Sequence, residues 1–177
     1  MKKFFMSLAV ALVSVCASAQ VYVGGTAGIS SNKMAGEDSK VAYKFIPEIG
    51  YQFNKQWSAG IEFGLQKGAP CEISGVGNST TYEVAPYVRY NFLNAKMFDF
   101  FLEGTVGYGR VTKVDTDIFE IGIKPGVALN LSNNFSLVSK VGFLGYRGMS
   151  YNGGGTSSSF GLDLDGNNIQ FGVIYKF

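Results

Sequence analysis

From Val21 onward one pattern recurs along the chain: apolar side chains at every second position, small or polar ones between them, and short polar stretches separating the runs. Period two is the signature of strands. The runs are Val21–Ser30, Val41–Phe53, Trp57–Lys67, Thr80–Phe92, Phe98–Val111, Asp117–Leu131, Phe135–Arg147 and Asn168–Phe177, so eight strands are expected. One face carries Tyr43, Phe45, Ile49, Tyr51 and Phe53, then Trp57, Ile61, Phe63 and Leu65, then Tyr82, Val84, Val88, Tyr90 and Phe92. It continues through Phe98, Phe100, Leu102, Val106 and Tyr108, Phe119, Ile121, Ile123, Val127, Leu129 and Leu131, and ends on Phe135, Leu137, Val141 and Phe143. The other face holds the charge, with Lys44, Glu48, Glu62, Glu83, Arg89, Glu103, Glu120, Lys124 and Lys140 set among Gly, Ala and Ser.

A soluble barrel alternates too, but its outer face needs abundant charge and its apolar face is the inner one. Here the charged face is sparse and built of small residues, as suits a crowded interior. The aromatic, continuous face suits lipid, where a charge costs about 2–4 kcal/mol at the midplane. Lipid also leaves no water for unpaired backbone groups, so the first strand must pair with the last. An all-β, eight-stranded antiparallel up-and-down transmembrane β-barrel is therefore expected.

The connections support this. Asn54-Lys55-Gln56, Leu93–Met97 and Ser132-Asn133-Asn134 are short, whereas 31–40, 68–79 and 148–167 are long, with Thr112–Thr116 the short member of the long set. Short periplasmic turns and long external loops are the habit of transmembrane barrels, which puts both termini in the periplasm. Tyr51, Phe53, Trp57, Tyr90, Phe92, Phe98, Phe135, Tyr175 and Phe177 then form the lower interfacial girdle, and Tyr43, Tyr82, Tyr108 and Phe119 the upper.

The N-terminus runs from Lys2-Lys3 through the apolar stretch Phe4–Val15 to Ala17-Ser18-Ala19, the pattern of a secretory signal peptide cleaved before Gln20. Residues 1–19 are assigned to that leader and 20–177 to one barrel domain. The leader takes two of fifteen Lys and Arg with it, leaving thirteen against thirteen Asp and Glu, so nucleic-acid binding loses its electrostatic basis. Only Cys71 then remains of two cysteines, which removes an intramolecular disulfide. There is no histidine, and with it go the commonest metal ligand and the Ser/His and Cys/His nucleophile pairs.

Pro47, Pro86 and Pro125 stand 39 residues apart, each followed six residues on by Phe53, Phe92 or Leu131 and then a turn. With FIPEIGYQF and VAPYVRYNF in two of these repeats, the chain from Gln20 to Phe177 resembles the small outer-membrane β-barrel family of the OmpX and OmpA-transmembrane type, known from Gram-negative bacteria. Its last nine residues, with Gln170, Gly172, Tyr175 and Phe177, resemble the C-terminal assembly signal of such barrels. The resemblance implies recognition by the barrel-assembly machinery and periplasmic chaperones, residence in the outer membrane, and a non-enzymatic role in envelope structure or adhesion. A proline inside a sheet forfeits a ladder bond, so a bulge is expected at each of the three.

The candidate chemistry is limited. If Phe53 faces Trp57 across its turn, Glu48 comes opposite Glu62 inside the barrel, and paired carboxylates can do acid–base work. The competing reading is an ion network in which Arg89, Lys124 and Lys140 reach Glu48, Glu62 and Glu103, in a lumen just wide enough to be filled by its own side chains. Asp163, Asp165, Gly166 and Asn167 resemble the start of a calcium loop but lack the later acidic ligand, and Asp-Gly is also a turn former. Asn152–Ser159 reads as a Gly/Ser-rich loop tip. No catalytic residue, cofactor or metal is assigned. The expected function is surface interaction through loops 31–40, 68–79 and 148–167 with an unidentified external partner, by a monomer in lipid. A narrow pore, a lipid-modifying enzyme and a lipocalin-like carrier are the alternatives.

Overall fold

The computed structural model describes residues 20–32, 40–67, 79–112, 115–151, 154–163 and 170–177. Residues 1–19, assigned to a leader by sequence, Cys71, Asp165 to Asn167 and most of the stretches 31–40 and 68–79 lie outside the described residues. All regular structure is extended: β1 (Gln20–Asn32), β2 (Lys40–Gln52), β3 (Trp57–Lys67), β4 (Thr80–Ala95), β5 (Phe98–Val111), β6 (Thr116–Asn130), β7 (Phe135–Lys140), β8 (Phe143–Tyr151), β9 (Gly155–Asp163) and β10 (Gln170–Lys176). Neighbours pair antiparallel, and β1 meets β10 from Tyr22 opposite Lys176 to Thr26 opposite Gly172, which closes the sheet. The ten segments make eight barrel strands, because β7 and β8 both pair with β6 while β10 and β9 pair with β7 and β8 in turn. This is the closed eight-stranded antiparallel barrel that the alternation implies.

The break in the seventh strand has a local cause. β6 meets β7 with Gly126 opposite Lys140 and meets β8 with Ile123 opposite Leu144, so three steps on β6 face four on its partner. The extra residue is absorbed at Val141-Gly142, where Gly142 takes a φ of 71° and Val141 N–H still donates to the Pro125 carbonyl at 2.9 Å. A single extra residue reverses the phase of every side chain beyond it. Phe143, assigned to the lipid face by simple alternation, is accordingly buried in the lumen, while Leu144 and Tyr146 face outward.

Three further expectations are corrected. The stretch 148–167 is largely ladder rather than loop, since β8 runs to Tyr151 and β9 pairs with it from Gly155 to Asp163. The β4–β5 turn is confined to Lys96-Met97, because β4 continues to Ala95 after a register shift between Asn91 and Leu93. A bulge accompanies only Pro125, and it falls on the partner strand. At Pro47 the register is the same on both sides, Phe45 opposite Leu65 and Glu48 opposite Glu62, and at Pro86 likewise, Val84 opposite Tyr108 and Tyr87 opposite Thr105. The missing N–H there removes one bonded pair without adding a residue.

Polarity runs opposite to that of a soluble protein. Phe63 is 47 % exposed, and Val88, Leu102, Val106 and Ile121 share its half-exposed state on the outer wall, whereas Glu103 is 0 % exposed and Glu48, Glu62, Arg89, Lys124 and Lys140 are all buried. Burying charge while exposing large apolar groups is favourable only where the outer medium is itself apolar. The terminal-end girdle is made of ring pairs: Trp57 with Tyr90 at 4.6 Å, Tyr51 with Phe53 at 5.2 Å and Tyr175 with Phe177 at 5.1 Å between centroids. Such pairs add about 0.5–1.5 kcal/mol beyond their burial. Substituting Phe63→Arg places a charge on the wall and is expected to cost about 2–4 kcal/mol in folding titrations into lipid vesicles. Equal folding of the variant and the wild type would contradict the outward assignment of this face.

Candidate functional site

The lumen is the one place where chemistry-bearing side chains converge among the described residues. Period two directs Glu48 of β2, Glu62 of β3, Arg89 of β4, Glu103 of β5, Lys124 of β6 and Lys140 of β7 to the same interior, and Glu48 lies directly opposite Glu62 in the β2–β3 ladder. Lys140 sits among three carboxylates. Its ammonium donates to Glu103 at 2.8 Å and to Glu62, and lies 3.7 Å from Glu48. Arg89 donates to Glu103 through Nη2 at 2.7 Å and Nε at 3.0 Å, and to Glu48 at 3.3 Å. Toward the loop end, Lys124 lies 3.9 Å from Glu62 and 3.3 Å from Glu120, and Glu120 also accepts from Arg147 at 3.1 Å. Lys44 stands within electrostatic reach of Lys124, Glu83 and Glu120, and Glu83 shares a side-chain hydrogen bond with Glu120. Glu83 and Glu120 flank Gly107, where a Cβ would lie 2.9 Å from Glu83 Oε1 and 2.6 Å from Glu120 Cγ.

Toward the terminal end the network rests on aromatics. Tyr22 and Tyr87 share a hydroxyl hydrogen bond of 2.8 Å, and Tyr87 donates to Glu48 at 2.9 Å. The Arg89 guanidinium lies 4.6 Å from the Phe101 ring centroid and 5.2 Å from that of Tyr87. Tyr22, Tyr87 and Phe101 are absent from the residues that alternation alone singles out, as is Arg147. A signal for the aromatics does exist in the pairing: each faces a glycine, Tyr22 opposite Gly50, Tyr87 opposite Gly60 and Phe101 opposite Gly126. A ring lying across the neighbouring strand leaves no space for a side chain there. A Cβ on Gly60 would approach the Tyr87 hydroxyl to 2.6 Å, and one on Gly126 would run into the Phe101 ring.

The chemistry this permits is narrow. Glu48, Glu62 and Glu103 can bring one oxygen each within 4.8 Å of one another, a spacing that could hold a metal ion, but the Lys140 ammonium already supplies a cation to all three. The Glu48–Glu62 pair is likewise engaged by Tyr87, Arg89, Lys124 and Lys140, which leaves no free carboxylate for acid–base work. Among the described residues, Lys44, Arg89, Lys124, Lys140 and Arg147 formally balance Glu48, Glu62, Glu83, Glu103 and Glu120, five against five, and Lys176 balances Asp99 at the terminal end. The vestibule at the terminal end, lined by Tyr22, Ser58, Arg89, Asp99 and Lys176, offers about 30 Å³, room for a water or two. Of the possible calcium residues only the Asp163 backbone is described, as the last pair of the β8–β9 ladder. Of the C-terminal residues that resemble an assembly signal, Tyr175 and Phe177 face outward, and the Phe177 N–H donates to the Val21 carbonyl at 3.0 Å.

Replacing Arg89 by Ala leaves Glu48 and Glu103 without their guanidinium in a buried site, which is expected to destabilise the barrel by about 3–5 kcal/mol. Heat-modifiable gel mobility and urea unfolding in detergent measure the loss, and Arg89→Lys should recover part of it.

No curated protein matches the chain in sequence. Among solved structures, it is similar to Neisserial surface protein A (NspA), at 18 % identity and a TM-score of 0.49 over 90 % of this chain and 96 % of that one. It is also similar to the Yersinia pestis outer membrane protein Ail in a phospholipid bilayer nanodisc, at 17 % identity and a TM-score of 0.49 over 90 % of this chain and 100 % of that one. A major outer membrane protein from Thermus thermophilus is a weaker likeness, at 13 % identity and a TM-score of 0.40 over 90 % of this chain and 100 % of that one. The family described as outer membrane protein beta-barrel domain matches residues 5–177, and the chain therefore belongs to that family of outer-membrane β-barrels.

Proposed function

We propose that this protein is a non-enzymatic outer-membrane barrel that works through its loop end, as a surface-interaction or adhesion module, with both termini in the periplasm. The observation that carries the reading is the lumen: ten charged side chains cancel one another, and eight of them meet in direct ion pairs. A barrel whose interior is filled and neutral has no path for solute and no room for a substrate. What it can offer a partner is its rim, and there the β8–β9 hairpin presents the exposed Tyr151, Gly155 and Thr156 at the level of the β5–β6 turn. The absence of histidine from the sequence argues in the same direction, against the lipid-modifying enzyme. Tyr175 and Phe177, presented outward at the end of the closing strand, are suitably placed for an assembly factor to grasp.

Two measurements test the proposal. In a planar bilayer the purified barrel should show no stable single-channel conductance; large, steady steps would make it a pore. Protease added to intact cells should cut within 148–167 and leave the rest of the barrel protected. A product cut only after the envelope is opened would reverse the orientation.

A further inference from the structure

Where β10 ends, its neighbour on the β7 side is a turn rather than a strand. The ladder between them runs from Gln170 opposite Lys140 to Tyr175 opposite Phe135, and the next step sets Lys176 beside Asn134, the last residue of the β6–β7 turn. Lys176 N–H donates to the Asn134 carbonyl at 2.7 Å, which is one half of a bonded antiparallel pair. The other half would be the Asn134 N–H on the Lys176 carbonyl. That N–H is turned back into its own turn, where Ser132 Oγ accepts from it at 3.3 Å and from Phe135 N–H at 3.0 Å. Asn134 completes the pair with its side chain instead, and Nδ2 donates to the Lys176 carbonyl at 2.7 Å. One residue on, Phe177 N–H donates to the Val21 carbonyl of β1 at 3.0 Å, so the end of β10 is fastened on both flanks.

Asparagines carry two other ladders past their last regular pair at this mouth. Asn91 of β4 donates through its N–H to the Gln56 carbonyl at 2.8 Å and through Nδ2 to the Lys55 carbonyl at 3.1 Å, which ties β4 to the β2–β3 turn. Asn130 of β6 donates through its N–H to the Met97 carbonyl at 2.8 Å and through Nδ2 to Asp99 at 2.7 Å, and its Oδ1 accepts from Ser136 Oγ at 2.7 Å. At Asn91 and Asn130 the main-chain N–H crosses to the neighbouring strand and the side chain adds to it. At Asn134 the N–H is committed to the turn, and the side chain is the donor that crosses. The place matters, because β10 is the strand that closes the sheet against β1. Strand ends open locally when few bonds hold them, and opening here would free backbone groups on both neighbours. It would also unseat the Tyr175 and Phe177 rings, which meet edge to face at 5.1 Å.

We propose that Asn134 is the latch of the closing strand: its side chain holds the terminal end of β10 against the β6–β7 turn, and without it that end opens locally while the rest of the barrel stays closed. The latch belongs to the closed barrel and stands whether or not Tyr175 and Phe177 serve as an assembly signal. Amide hydrogen exchange of the chain folded in detergent micelles, followed residue by residue by NMR, tests it, with heat-modifiable mobility showing that each variant is folded. Asn134→Ala is expected to speed exchange at Lys176 and Phe177 by about three- to tenfold, as the loss of one hydrogen bond allows, and to leave Ile174, further along β10, unchanged. Asn134→Leu keeps the bulk of the side chain and removes its donor, and should do the same. Asn133→Ala alters the same turn and should move neither amide. Unchanged exchange at Lys176 and Phe177 in both Asn134 variants overturns the proposal. An equal rise at Ile174 overturns it as well, because the sheet then loosens as a whole, and so does an equal effect of Asn133→Ala, which would assign the hold to the turn rather than to the Asn134 side chain.

Discussion

Everything in this barrel follows from the requirement that backbone N–H and C=O groups find partners without water. Strands that pair only with their neighbours meet that requirement when the first returns to the last, as β1 and β10 do through Tyr22–Thr26. Closure at eight strands then fixes a narrow interior, and the narrow interior dictates its contents. Charges drawn inside by alternation have to neutralise one another, because the bulk dielectric that would otherwise screen them is absent. Lys140 illustrates the economy of this arrangement: one ammonium joins carboxylates from β2, β3 and β5 across the barrel. It ties together strands that share no ladder with its own.

The fold was legible because the strongest signal, period two with charge on one side, is also the property that the lipid selects. The Glu48–Glu62 pairing could be read from the turn at Asn54-Lys55-Gln56, since a short turn leaves little freedom of register. Phe143 could not, because the residue that displaces it, Val141 or Gly142, looks like any other step of the strand. β9 was hidden for a different reason. Its sequence, GTSSSFGLD, has the composition of a loop tip, and main-chain pairing with β8 needs no apolar alternation to hold it.

The lumen was only half legible. Its charges stand out in an apolar sequence, but its aromatics do not, since Tyr22, Tyr87 and Phe101 have the composition of the outer wall. What distinguishes them is relational: the residue across the ladder is glycine in each case. Such a pair makes sense only once the register is known, when a large ring and an empty neighbour become a single packed unit. The prolines carry the converse lesson. Their regular spacing marks strand order, yet Pro47 and Pro86 sit in unbroken register, with Thr105 Oγ1 donating to the Pro86 carbonyl at 3.4 Å.

The extra residue at Val141-Gly142 acts like a frameshift in the alternation between inside and outside. Below it Leu137 meets lipid and Val138 the lumen; above it the parity is exchanged, so that Phe143 and Arg147 belong to the interior and Leu144 and Tyr146 to the wall. Homologous chains that lack this residue would need the opposite hydrophobic phase over β8 to keep the same barrel. The two halves of one strand can thus diverge under opposite selection for the same sequence position, and an alignment that ignores the shift would mistake a conserved wall for a changing one.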